Sequence, residues 1–156
     1  DCARGVGLGF RDEVYDTVIA NNMIFSSFAG SREHDVGISV ERSQNTSILH
    51  NTVFYSHPDA YPNTIEYRFE NTSGLRVANN LTNGQIRARN GANATLEGNL
   101  AEAEASWFVD AESGVLHLEG CDSNAAVDAA VQSDSMLDFD HDQRDGSGDV
   151  GADECR

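Results

Sequence analysis

Two segments of this chain carry nearly the same nine-residue phrase, and this repetition limits the fold more than any other feature. TVIANNMIF occupies residues 17–25 and TSILHNTVF occupies residues 46–54. Two more copies follow at 65–83 and 86–100, and the equivalent asparagines are separated by 29, 29 and 19 residues. A fixed period of this length is the signature of a repeat architecture in which each unit stacks on the next.

Each copy contains short segments in which apolar and polar residues alternate, joined by turns rich in Asn, Ser, Thr and Gly. This pattern is typical of strands and not of helices. A unit of this size cannot bury its apolar side alone, so stacking is expected to give an all-β parallel β-helix of four coils, with a fifth candidate at Val115–Leu118. Matching the copies from their first apolar residues pairs Val6, Leu8 and Phe10 with Val36, Ile38 and Val40.

The asparagine column has a structural explanation. Asn tolerates the left-handed backbone conformation needed at a coil corner. Stacked asparagine amides also form hydrogen bonds from one strand to the next. We therefore expect a ladder made of Asn22, Asn51, Asn80 and Asn99.

The charge balance excludes two classes of partner. The chain has 26 acidic residues and 10 basic ones, all of them arginine, for a formal net charge of −16. Binding to a nucleic-acid backbone or to an anionic membrane surface is driven by basic side chains. No apolar run is long enough for a membrane span. The composition instead permits a bound cation or a neutral or cation-bridged ligand.

Three cysteines, Cys2, Cys121 and Cys155, are too few for a disulfide scaffold. Three free thiols are one interpretation. The alternative is a Cys121–Cys155 bridge that closes a long loop, holds the C-terminus and leaves Cys2 unpaired.

The Val/Ile-x-x-Asn-Asn phrase resembles that of the right-handed parallel β-helix proteins of the pectate-lyase-like superfamily, over residues 6–118. The tail SNAAVDAA…DFDHDQRDGSGDVGADE is similar to the end of secreted bacterial members, except at Ala125, where proline is usual, and at His141, where glycine is usual. The resemblance implies a secreted right-handed β-helix of about four to five coils over 1–118, closed by an irregular cap over 119–156. Members often have eight or more coils, so the chain is expected to be a C-terminal portion or a miniature, with an open first coil that a second copy could cover.

Two longer connections, 26–35 and 55–63, leave the coil after the same phrase and should project side by side. The candidate acid–base residues come from these two connections and from the strand that follows the second one. They are His34, Asp35, His57, Asp59 and Arg68. Candidate substrate-binding residues are Arg32, Glu33, Tyr61 and Arg87. A histidine near a carboxylate suits proton transfer, and an arginine suits a sugar carboxylate. The alternative is a solvated polar loop.

The spacing of Asp138, Asp140 and Asp142 suits a hard cation, with calcium as the candidate, although Gln143 stands where an EF-hand loop needs glycine. The alternative is a cap in which Arg144 pairs with these carboxylates. The resemblance to the pectate-lyase-like superfamily implies an enzyme of the polysaccharide lyase or glycoside hydrolase type. The alternative function class is a non-catalytic surface, adhesion or carbohydrate-binding module.

Overall fold

The computed structural model describes residues 4–30, 34–132 and 135–156. The protein is all-β, and its main sheets are parallel, as the repeats predict. The strands are β1 (Arg4–Leu8), β2 (Val14–Tyr15), β3 (Val18–Ala20), β4 (Met23–Ser26), β5 (Val36–Glu41), β6 (Ser43–Gln44), β7 (Ser47–Leu49), β8 (Thr52–Tyr55), β9 (Asn63–Arg68), β10 (Leu75–Ala78), β11 (Leu81–Thr82), β12 (Gln85–Arg89), β13 (Ala94–Glu97), β14 (Phe108–Asp110) and β15 (Val115–Leu118).

Successive repeats contribute equivalent strands to the same parallel sheets. Sheet A has the order β1-β5-β9-β12, sheet B the order β3-β7-β10-β13, and sheet C the order β4-β8-β11. A short pair, β2 and β6, is also parallel. Each strand therefore hydrogen-bonds to the strand one repeat away, an arrangement compatible with a β-solenoid.

The first repeat enters sheet A in a different register from the one the sequence suggested. Val6 pairs with Ile38 and Leu8 with Val40, so Val36 lies opposite Arg4. Phe10 lies beyond β1 and is 41% exposed, with the Arg4 guanidinium 4.5 Å from its ring centre. The earlier pairing was wrong by two residues because the chain turns at Gly9, with φ 71°, before the hydrophobic pattern ends.

The predicted asparagine ladder is confirmed. The Asn22 Nδ2 donates to Asn51 Oδ1 at 2.8 Å, Asn51 Nδ2 donates to Asn80 Oδ1 at 2.9 Å, and Asn80 Nδ2 donates to Asn99 Oδ1 at 2.8 Å. We call these four residues the ladder column.

The left-handed backbone positions, however, are one residue earlier than predicted. They are Asn21, His50, Asn79 and Gly98, with φ between 48° and 57°. We call these four residues the cap column, because Asn21, His50 and Asn79 hydrogen-bond to the C-terminal segment.

The main core lies between the three sheets. Strands of sheets A, B and C contribute Ile38, Ile48 and Val53, all fully buried, to one cluster. A second cluster joins Phe54 and Leu81 of sheet C to residues 103–118 and to Val150 in the tail. The tail 119–156 thus packs on the same body as the repeats.

The segment that the sequence offered as a fifth coil has a different structure. After a 3₁₀ turn at Ala105–Trp107, strand β14 runs antiparallel to β15, with a second 3₁₀ turn at Ala111–Ser113 between them. This segment leaves the stack, and Phe108, Leu116 and Leu118 cover the second cluster. Four repeats are therefore stacked in the described residues.

The tail is fixed by a covalent bond and by a buried arginine. Cys121 and Cys155 form a disulfide. The Arg144 guanidinium lies 3.2 Å from Glu154 Oε2 and also donates to the carbonyls of Asp149, Gly151 and Asp153. Arg144 does pack the tail as predicted, but its carboxylate partner is Glu154 and not one of the aspartates.

The strands of the first repeat form one edge of each main sheet. Val18 of β3 is 64% exposed there, and Val6, Leu8 and Ile24 are only partly buried. Among the helical segments of the described residues, none has the length and apolar character needed to cross a membrane.

Candidate functional site

The two long connections lie next to each other, as their equivalent positions in the repeats predict. Gly30 and Ala60 form a parallel bridge, and the Gly30 N–H donates to the Asp59 carbonyl at 2.7 Å. Ser56 N–H also donates to the Ser26 carbonyl at 3.0 Å. The stacking of the strands is therefore continued into the loops.

An open groove of about 640 Å³ lies beside the second connection. We call it the loop groove. Its polar and aromatic lining comes from three consecutive parts of the chain, namely Tyr55, His57, Tyr61, Asn83, Gln85 and Glu102. Asn83 is fixed in place, since its side chain bonds both the N–H and the carbonyl of Tyr55 at 3.0 and 2.8 Å.

His57 is the predicted acid–base residue that faces this groove. Its ring is half-buried, and its Nδ1 accepts a hydrogen bond from the Asp59 backbone N–H at 3.0 Å. This contact assigns the proton of a neutral ring to Nε2. The contact joins His57 to the backbone of Asp59, whose side chain is exposed.

His34 and Asp35, the other predicted pair, have different partners. His34 is 6% exposed, and its Nε2 lies 3.3 Å from Tyr55 Oη with the two rings edge to face. Burial raises the pKa of Tyr55 despite a hydrogen bond from the Gly37 backbone. The Asp35 carboxylate pairs with Arg4 at 3.1 Å. These residues tie the first connection to the edge of sheet A.

A buried polar cluster beside the groove surrounds Glu66, which lies with Arg68 on the strand that follows the second connection. Its carboxylate is 4% exposed and accepts from Asn63 Nδ2 at 2.6 Å, Arg89 Nη1 at 2.9 Å and Tyr61 Oη at 3.3 Å. Burial raises the pKa of Tyr61, and the negative charge of Glu66 adds to the effect. The hydrogen bond from Arg89 to Glu66 raises the pKa of Arg89. The cluster thus holds Tyr61 in place as a neutral donor.

Two predicted arginines lie on sheet A, and both contribute charge there. Arg68 Nη1 pairs with Glu41 at 3.1 Å, and its Nε lies 3.7 Å from Glu66. Arg87 is exposed on β12, in register with Glu66 of β9. Arg68 is therefore an ion-pair partner of the sheet face. Arg32 and Glu33 lie outside the described residues.

The signal for the Glu66 cluster was present in the sequence but ambiguous. Glu66 and Arg68 alternate on one strand, and Arg87 and Arg89 alternate on the next. Opposite charges on neighbouring strands favour cross-strand pairs. Which arginine meets which carboxylate depends on the strand register, which the spacing alone did not fix.

The predicted aspartate group of the tail is divided among different partners. Asp138 Oδ1 accepts from the backbone N–H groups of Asp140 and Asp142 at 2.9 and 2.8 Å, so it stabilises its own turn. Asp142 lies 3.4 Å from the Arg156 guanidinium. Asp140 lies 2.9 Å from His117 Nε2. Within the described parts of the chain, the ligand-type group that includes Asp140 is completed by His117 and Asp153.

No protein-family model matches this chain, and comparisons with curated proteins and with solved structures also give no match. The function is therefore argued from the site alone.

Proposed function

We propose that this protein is an extracellular right-handed parallel β-helix that binds a neutral oligosaccharide in the loop groove. The observation that carries the proposal is the groove itself, in which aromatic, amide and carboxylate side chains from adjacent loops converge. Sites for small ligands combine a few such polar groups with apolar and aromatic walls.

The fold part of the proposal is supported by the pairing of equivalent strands in three parallel sheets. Parallel strands joined by crossovers have a strong right-handed preference, which supports the handedness. The asparagine ladder agrees with the resemblance to the pectate-lyase-like superfamily. The Cys121–Cys155 disulfide supports secretion, because such bonds persist in oxidising compartments.

A neutral ligand fits the electrostatics better than an anionic one. The formal charge of −16 repels polyanions at long range. Within the groove, Glu102 is exposed and can accept hydrogen bonds from sugar hydroxyls, and Gln85 can donate and accept. Arg89, which donates to the groove residue Tyr61, is already paired with Glu66.

Calorimetric titration with a panel of neutral oligosaccharides tests the proposal. Glu102→Gln and Gln85→Ala should each weaken binding about three- to tenfold, which corresponds to one hydrogen bond of roughly 0.7–1.4 kcal/mol. Glu112→Gln is a matched control, since Glu112 is exposed and does not line the groove. No saturable binding across the panel, or equal affinities for all three variants, would refute the groove as the site.

A second candidate function is polysaccharide cleavage as a lyase or hydrolase. The observation that favours it is that His57 and Glu102, an imidazole and a carboxylate, line the same groove. Such a pair suits general acid–base catalysis. New reducing ends or an unsaturated product, lost in His57→Asn, would support cleavage. Binding without either product would favour the non-catalytic module.

We also infer self-association through the exposed first-repeat edges of the sheets. Unpaired edge strands such as β1, β3 and β4 are templates for pairing with another chain. Sedimentation over a wide concentration range tests this inference, and a monomer at every concentration contradicts it.

A further inference from the structure

Three metal-ligand side chains from separate segments meet at the junction of the last strand and the cap. His117 lies on β15, Asp140 lies in the turn that follows Asp138, and Asp153 lies near the C-terminus. One ligand atom from each lies within 4.8 Å of the other two. Neither the repeat nor the loop groove accounts for this convergence.

The imidazole of His117 is oriented and still has one nitrogen without a partner. Its Nε2 lies 2.9 Å from Asp140 Oδ2, and its ring packs edge to face with Phe139 at 6.1 Å. The other nitrogen, Nδ1, is buried and has no hydrogen-bond partner among the described residues. A buried nitrogen of this kind is costly unless a proton acceptor or a cation satisfies it.

The two carboxylates are fixed by the backbone. Asp153 is 6% exposed, and its Oδ2 accepts the Leu118 N–H at 2.7 Å, which leaves Oδ1 for a cation. Asp138 accepts the Asp140 N–H, which fixes the turn that carries the Asp140 side chain.

Negative charge is concentrated at this junction. Burial raises the pKa of Asp153, and the charges of Asp138 and Asp140 raise it further, whereas His117 acts in the opposite direction. A bound cation would offset both the burial and the repulsion.

We propose that His117, Asp140 and Asp153 bind a divalent first-row transition metal ion of the Zn²⁺ type, which ties β15 to the cap. One imidazole and two carboxylates match the ligands of such ions, whereas Ca²⁺ takes six to eight oxygens. Bonds of about 2.0–2.2 Å to a tetrahedral ion place neighbouring ligand atoms roughly 3.4 Å apart. Side-chain rotations would bring the three ligand atoms, which now lie within 4.8 Å of one another, to this spacing.

The test is a Zn²⁺ titration of tag-free protein stripped with a chelator, followed by calorimetry and by thermal melting. Every variant carries Cys2→Ser, so that this thiol does not compete for the metal. The parent protein should bind one Zn²⁺ and melt at a higher temperature with metal. His117→Asn and Asp140→Asn should each bind at least tenfold more weakly. Co²⁺ should give ligand-field absorption bands in the parent and lose them in His117→Asn.

His141→Asn is the matched control. His141 is exposed in the same turn with φ 66°, a conformation that Asn tolerates, and it is not one of the three ligands. This variant should bind Zn²⁺ like the parent. Circular dichroism verifies that each variant is folded, and Asp140 is exposed, which favours folding of its variant. The proposal would be overturned if the parent did not bind Zn²⁺, or if His117→Asn and Asp140→Asn bound it as tightly as the parent. It would also be overturned if Ca²⁺ bound as tightly as Zn²⁺ and His117→Asn did not weaken that binding.

Discussion

Replacement of Asn51 by alanine tests the physical role of the ladder column most directly. Asn51 is fully buried, and its side chain takes part in five hydrogen bonds. Its amide donates to the Ile19 and Leu49 carbonyls and to Asn80, while its oxygen accepts from the Asn22 backbone and side chain. Alanine removes all five bonds without providing a substitute.

The expected cost follows from the groups left without a partner. The Ile19 and Leu49 carbonyls and the Asn22 N–H each lose a bond in or beside the core. A buried polar group without its partner costs about 1–3 kcal/mol, so these three groups together should lower the unfolding free energy of the variant by roughly 3–9 kcal/mol. This is a large fraction of the 5–15 kcal/mol that typically stabilises a domain.

Asn22→Ala is the matched control, because Asn22 is half-buried at the end of the ladder. Its amide donates to Asn51 and to the carbonyl of Ala20, which is itself only half-buried on the edge strand β3. We expect a loss of about 1 kcal/mol, close to the mean for one hydrogen bond. Urea unfolding followed by far-ultraviolet circular dichroism gives both values. A difference below about 1 kcal/mol between the two variants would refute the claim that burial in the ladder sets the cost.

Three further predictions concern the cap. Replacing Cys121 and Cys155 together by serine should lower the unfolding free energy by about 3–4 kcal/mol, the chain-entropy value for their separation of 34 residues, measured by urea unfolding; no loss would contradict that account. Arg144→Lys should cost roughly 2–4 kcal/mol, because one ammonium cannot reproduce the forked donors that reach Glu154 and three carbonyls; thermal melting against Arg87→Lys, an exposed arginine, measures this. Burial raises the pKa of Asp153 in the folded chain, so the folded state holds this proton more tightly than the unfolded chain does. The unfolding free energy should therefore fall as pH rises from the ordinary carboxyl pKa through the folded pKa. Urea unfolding of chelator-treated protein between about pH 4 and pH 7 should show a weaker dependence of unfolding free energy on pH in Asp153→Asn than in the parent.

The sequence predicted the parallel sheets because equal spacing requires equivalent residues to stack. It also predicted that the loops at 26–35 and 55–63 lie together, since both follow the same phrase, and the Gly30–Ala60 bridge bears this out. The register of β1 was wrong because Phe10 continues the alternating pattern past the turn at Gly9. Apolar alternation does not show where a strand ends.

The partners of charged side chains were less predictable than the strands. His34 contacts Tyr55 in the interior, which the polar composition of its loop did not indicate. His117 was expected to be structural, yet it meets Asp140 because β15 runs antiparallel to β14 outside the repeat. The spacing of the repeats predicts contacts between repeats only, so it could not predict the contacts of a segment that lies outside them.

The contacts between the repeats and the tail were not predicted, because the left-handed backbone conformation was assigned to the ladder column and not to the cap column one residue earlier. The phrase Asn-Asn in the first and third copies does not show which asparagine is left-handed, but Gly98 before Asn99 identifies the first position. With the left-handed residue at this first position, the next residue points its side chain into the ladder, and the left-handed residue itself faces the tail. Asn21 donates to the Leu137 carbonyl, and Asn79 donates to the Gln132 carbonyl. At Gly98 an added Cβ would lie 2.9 Å from a Val131 methyl, so glycine leaves room for the tail. The two neighbouring positions therefore have different roles: the ladder column hydrogen-bonds one repeat to the next, and the cap column contacts the C-terminal cap.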